Sequence, residues 1–278
     1  MSSPVSTPSI KAPDSPTTKP ISSGPPTVDI LPTPAAQTYS HVHPALLLAL
    51  YGVRFPALVA DPVSTLLTDL PVYTALQVAY AVTCLPQAGT HNAHPANPTT
   101  EASPSTPGTS GVVKSGKTGY RKKIGHGGSK GDGVFKRLTA SFLSLTLTFL
   151  LGTPVLALLL VLFGAPFTTH NAHTILAAAH MALLAVTPLV YVHGVDGVVW
   201  MQVWAFSRPA DAVWGGALGT GVGAWLGAVP IPLDWDRPWQ AYPITVLTGA
   251  YLGYAVGQLI ARTPLLYGKR IQFNKPSE

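Results

Sequence analysis

The residues with types and spacing that chemistry uses are few, and most sit outside the apolar runs. Asp234 and Asp236 flank Trp235, a carboxylate spacing that can hold a divalent cation, and Arg237 and Trp239 follow at once. In that run Asp236 is also placed to pair with Arg237 or to cap the next helix. His91 and His94, and again His170 and His173, stand three apart and offer two imidazole ligands each. Neither pair has an acid or cysteine beside it to complete a ligand set. Gly116, Lys117 and Thr118 end like a phosphate-binding loop, but the upstream glycine and the preceding strand are missing. Cys84 is the only cysteine, which excludes an intrachain disulfide and a thiolate metal cluster. No serine or cysteine has a base nearby that would activate it. The pattern implies no catalytic residues, no metal centre and no cofactor. Asp234, Trp235, Asp236, Arg237 and Trp239 read instead as a contact surface for a partner or a lipid head group, or as a rigid turn.

The elements that must position these residues are membrane helices. Only 10% of the 278 residues are charged, against about 25% in soluble domains. Leu138 to Ala165 carries no ionisable residue, and His173 to Val192 contains no Asp, Glu, Lys or Arg. Apolar stretches of this length cross the hydrocarbon as helices, which needs about 20 residues. The fold class is therefore all-α, a polytopic integral membrane helical bundle with about six transmembrane helices. They are expected over 44–59, 63–85, 138–163, 173–192, 211–228 and 242–260. Arg54 and Pro56 interrupt the first, Asp61 and Pro62 turn it into the second, and Pro154 predicts a kink in the third. A short interfacial helix is expected through Val198 and Trp200.

Composition divides the rest. Residues 1–43, rich in Pro, Ser and Thr, read as a disordered cytoplasmic tail without a cleavable signal sequence. Residues 44–86 form a first transmembrane hairpin, and 87–134 a disordered basic loop too long for an ordinary connection. Residues 135–261 form a four-helix membrane core, and 262–278 a basic tail. Eight of the seventeen Lys and Arg lie from Lys114 to Arg137. With six spans, this cluster, Arg208 and the C-terminal Arg262, Lys269, Arg270 and Lys275 share one side, and only Arg237 faces the other. The positive-inside rule then makes both termini cytoplasmic. The net charge of +6 fits topology control or anionic head groups better than nucleic acid, for which no reading motif is present. Asp196, Arg208 and Asp211 stand where they can touch lipid head groups.

Two spans carry glycine at helical spacing. Gly215, Gly219, Gly223 and Gly227 recur every four residues in the fifth, and Gly249, Gly253 and Gly257 in the sixth. Such stripes let another helix approach backbone to backbone, whether the other span of the pair or a helix of a partner.

From Gly223 to Gln240 the sequence GAWLGAVPIPLDWDRPWQ, followed by YPIT from Tyr242 to Thr245, resembles the PIG-F family of glycosylphosphatidylinositol-anchor biosynthesis. The resemblance covers mainly residues 136–260 and includes VYVHG from Val190 to Gly194. It implies a multi-pass protein of the endoplasmic reticulum membrane. It further implies a non-catalytic, stabilising subunit with two alternative partners, the large ethanolamine-phosphate transferase subunits. Those subunits move phosphoethanolamine from phosphatidylethanolamine onto mannoses of the glycolipid precursor, and their lumenal domain holds the catalytic metal. A lipid-handling enzyme or a protein presenting phosphatidylethanolamine in the same pathway is the alternative. Phospholipids and the glycolipid precursor are possible ligands in either case.

Overall fold

A computed structural model describes residues 26–90, 130–233 and 235–270. Every regular element among them is helical: α1 (Pro34–Ala60), α2 (Pro62–Cys84), α3 (Lys130–Leu147), a π-helical turn (Thr148–Gly152), α4 (Thr153–Leu162), α5 (Asn171–His193), α6 (Gly197–Trp204), α7 (Ala212–Gly227) and α8 (Ile244–Ile260). Two short 3-10 turns, Ile231–Leu233 and Pro238–Gln240, lie between α7 and α8.

Four helices are long and apolar enough to cross a membrane: Pro34–Ala60, Gly133–Leu162, Asn171–His193 and Ala212–Leu233. That is fewer than the six expected. At 23 residues α2 has the length, but Asp69, Gln77 and several hydroxyl side chains dilute it. Helix α8 is apolar but has only 17 residues.

Helix α1 begins at Pro34 rather than at Pro44. Thr33 caps it by accepting from the Ala36 N–H at 3.3 Å, and proline occupies the first turn, where its missing N–H is no loss. The segment before it is held as well, because the Leu31 N–H donates to the Cys84 carbonyl at 2.9 Å. A tail reading over 1–43 therefore does not extend to residues 26–43. Polar composition hid an ordered segment whose buried face, Ala36, Ser40 and His43, needs partners from other helices. Asp61 then closes α1 with its N–H and opens α2 with its carboxylate, which accepts from Ser64 N at 3.1 Å.

Pro154 lacks the N–H that an α-helix would use at that position. The ladder widens just before it, and the Thr153 N–H reaches back five residues to Thr148 O. Gly152 lies in this turn, where a Cβ would meet Val186 of α5 at 3.1 Å.

Helix α5 is the central post of the bundle. It touches α2, α3, α4, α7 and α8 and buries Ala177, Ala178, Ala179 and Ala182, whose small side chains admit neighbours on several sides. The α1–α2 hairpin, the α3–α4 rod and the α7–α8 hairpin stand around it. The short helix α6 forms where expected, with Asp196 accepting from Val198 N at 2.9 Å.

Candidate functional site

The α7–α8 hairpin has the most extensive helix contact in the chain, and glycine makes it. A Cβ built on Gly223 would stand 2.9 Å from the Gly253 Cα, and one on Gly253 would stand 2.8 Å from the Gly223 Cα. Gly219 and Gly257 oppose each other in the same way at 3.0 Å, Gly249 faces the Gly227 Cα at 3.0 Å, and Gly215 abuts the Gly257 carbonyl and Ala261. The hydrogen that each Cβ would replace points at a carbonyl oxygen of the facing helix, the arrangement of a Cα–H···O contact. The two ladders lie against one another.

On the opposite side of α8 from this seam, two polar clusters run through the bundle core. In the first, His180 of α5 is fully buried. Its Nε2 faces the Leu66 carbonyl at 3.0 Å, so that nitrogen donates. Its Nδ1 then accepts from the Tyr251 hydroxyl at 2.7 Å. Tyr51 stacks on Tyr251 with ring centroids 4.7 Å apart, and its hydroxyl donates to the Ile244 carbonyl at 3.3 Å and lies 2.9 Å from Thr248 Oγ1. Next to them Arg54 Nε donates to both oxygens of Asp69, at 2.9 and 3.0 Å. This ion pair explains how α1 tolerates an arginine inside a span.

The second cluster joins α1, α2 and α8 nearer the other end. Arg262 Nη1 donates to the Ser40 carbonyl at 2.9 Å, and Nη2 reaches the Tyr80 hydroxyl at 3.4 Å. Gln258 Nε2 donates to the Tyr80 hydroxyl at 2.7 Å, and the His43 ring stacks on Tyr80 at 4.4 Å. Arg262 thus enters the bundle instead of belonging to a solvated tail.

At that same end the loop residues are structural. Asp211 is buried, caps α7 by accepting from Val213 N and Trp214 N at 3.0 and 2.9 Å, and accepts from Val28 N at 3.2 Å. Burial raises its carboxyl above the usual value, overriding the three N–H donors and Arg208, which pull the other way. Arg208 is also buried and donates to the Pro26 carbonyl at 3.2 Å. Neither is free to hold a lipid head group, as the sequence alone suggested; they tie the segment before α1 to the start of α7.

The tryptophan- and proline-rich loop closes the other end of the hairpin. Asp234 lies outside the described residues. Trp235, Asp236 and Arg237 are exposed, Trp239 is half-buried, and the two indole rings meet edge to face at 6.0 Å. No hydrogen bond or ion pair joins Asp236 to Arg237 among the described residues. Buried Gln240 braces the turn, accepting from Trp235 N at 3.0 Å and donating to the Pro230 carbonyl. His170 and His173 have ring centroids 5.1 Å apart. No group of three His, Cys, Asp or Glu gathers around a possible metal among the described residues. His91 and His94, and residues 116–118, fall outside them.

Composition and motif spacing did not single out the polar clusters, although a signal for them exists. Tyr73, Gln77, Tyr80 and Cys84 on α2, and Tyr251, Tyr254, Gln258 and Arg262 on and after α8, recur at helical spacing. Each set forms one polar stripe on an apolar helix, which must face inward.

The chain resembles curated proteins over most of its length. It is 62% identical to "Glycosylphosphatidylinositol anchor biosynthesis protein 11" of Aspergillus fumigatus, over 89% of this chain and 86% of that protein. A Neurospora crassa protein of the same description is 46% identical, over 87% of this chain and 80% of its own. The human "GPI ethanolamine phosphate transferase, stabilizing subunit" is 35% identical over 54% of this chain and 65% of that protein. No solved structure matches the chain. Residues 42–262 match the family described as "GPI biosynthesis protein family Pig-F", and a match of that extent, across α1 to α8, makes the chain a member of that family.

Proposed function

We propose that this protein is the non-catalytic, stabilising subunit of an ethanolamine-phosphate transferase that modifies mannoses of the glycosylphosphatidylinositol-anchor precursor. The observation that carries this reading is the likeness to the human stabilizing subunit. The chemistry of the core agrees with it. His180 and Tyr251 are buried and bonded to each other, and Asp69 is bonded to Arg54, so these groups are engaged in holding helices together. A rigid bundle of this kind acts by binding: a partner that binds only the folded form of each subunit stabilises both by mass action.

The same reading takes six crossings, with α2 and α8 as the two beyond the four long apolar helices. The α1–α2 turn at Asp61 and the full-length α7–α8 contact support antiparallel pairs of equal reach. It also takes an endoplasmic reticulum membrane location, both termini in the cytoplasm and two alternative large partners. The clustering of Lys and Arg supports that orientation. The test is depletion of the protein in cells followed by measurement of the large transferase subunits and of phosphoethanolamine on the precursor. Both should fall together. Phosphoethanolamine transfer by the purified chain without a large subunit would refute the non-catalytic role.

A further inference from the structure

We infer that the outward-facing trough between α7 and α8 binds one zwitterionic glycerophospholipid of the leaflet nearest the Pro230–Tyr242 loop. This goes beyond the subunit role and does not depend on it. Glycine contact draws the two backbones together, so the side chains beside the seam stand up as walls. Leu218, Val222 and Leu226 form one wall, and Leu252, Val256 and Ile260 the other, around a cavity of about 700 Å³. Val222 and Leu252 are each 49% exposed, and no part of the described chain covers them. The trough runs from Trp214 to Pro230, about 24 Å at the helical rise.

Its polarity is one-ended. The hydroxyl side chains lining it are Thr245 and Thr248, both near the loop. Thr248 is already engaged, donating to the Ile244 carbonyl at 2.8 Å and meeting Tyr51. Thr245 is 7% exposed, and its Oγ1 has no partner. A buried hydroxyl without a partner is unfavourable, so this position calls for an acceptor from outside the chain. An acyl ester carbonyl supplies one and directs its chain along the apolar walls. A transmembrane helix suits the site less well, because its backbone carbonyls are committed to its own ladder and it would cross both leaflets with no preferred end. Trp239 lines the same mouth, and Asp236 and Arg237 are exposed in the loop above it without pairing to each other. A zwitterionic headgroup complements both charges, phosphate to guanidinium and ammonium to carboxylate, whereas an anionic lipid would meet the Asp236 charge.

The test uses the full chain in nanodiscs of phosphatidylethanolamine, phosphatidylcholine and phosphatidylglycerol, each with a photoreactive acyl chain, and maps adducts by mass spectrometry. Adducts of the two zwitterionic lipids should concentrate on the α7 and α8 walls. Thr245→Val should lower their yield about fivefold, the effect of one hydrogen bond. Leu252→Trp, which fills the trough, should abolish them. Leu151→Trp, on the exposed face of the π-helical turn, should leave them unchanged. Adducts spread evenly over all lipid-facing helices of the wild-type chain would overturn the inference, and that readout needs no variant to fold. Equal labelling by phosphatidylglycerol would overturn the headgroup assignment. If Leu252→Trp releases a large transferase subunit while lipid labelling persists, the trough belongs to a partner helix and the lipid site is refuted.

Discussion

Replacing Gly223 by alanine puts a methyl group 2.9 Å from the Gly253 Cα and closer still to the Gly249 carbonyl oxygen. Carbon atoms rest at about 3.5–4.0 Å, so α7 and α8 must part by roughly 0.6–1.1 Å. A gap of that size forfeits about a quarter to a half of each contact along the seam, and overpacking of this kind costs about 1–3 kcal/mol. Gly221 is the internal control. It lies on the same helix, and a Cβ there meets nothing within 4 Å, so alanine keeps only its helix-propensity advantage, up to about 1 kcal/mol. That advantage is common to both substitutions, so it cancels in the comparison. Gly223→Ala should therefore be less stable than Gly221→Ala by about 1–3 kcal/mol, the overpacking cost alone. The assay is unfolding of the purified chain in one detergent, followed by thermal shift or by denaturant titration. A midpoint difference of about 2–4 °C per kcal/mol is the scale for a chain of this size. Equal stability of the two variants would refute close backbone packing of the ladders.

Further outcomes follow from the polar contacts. Asp211→Ala removes the α7 cap and leaves the buried Val28 N–H without its acceptor, a loss of about 2–4 kcal/mol from the two effects together. Asp211→Asn keeps the cap and should lose less; equal losses in the same unfolding assay would show that the tether to Val28 contributes nothing. Since burial holds the Asp211 carboxyl above its usual 3.8, the ionised form is the disfavoured one in the fold. Its contribution is greatest below pH 3.8 and declines as pH rises through the raised value. That slope should disappear in Asp211→Asn, and a variant with the wild-type slope would exclude Asp211 as its source. Asp69→Leu leaves Arg54 unpaired in a span, so it should reduce insertion or stability more than the Arg54→Leu/Asp69→Leu double variant does; a double variant no better than the single one would argue against the pair. Tyr251→Phe withdraws the donor from His180 Nδ1 and should cost about 1–3 kcal/mol, and a change of only a few tenths in denaturant titration would show that the bond is replaced by another.

Local composition and period determined much of this protein without help from the fold. The long apolar run from Leu138, the turn at Asp61 and Pro62, the irregularity at Pro154 and the short helix after Asp196 are effects of the residues themselves or of near neighbours. So is the glycine spacing in α7 and α8, since i, i+4 positions share a face in any helix. Other features needed the tertiary structure because their partners are remote in sequence. Polar residues 34–43 become helix only because Cys84, Tyr80 and Arg262 meet them across the bundle. Arg54 is tolerated in a span because Asp69 of the next helix faces it, and His180 is satisfied by Leu66 and Tyr251 from two other helices. That the two ladders turn toward each other is likewise a matter of assembly. Helical period sets which residues share a face, but only packing of the whole bundle decides which faces meet.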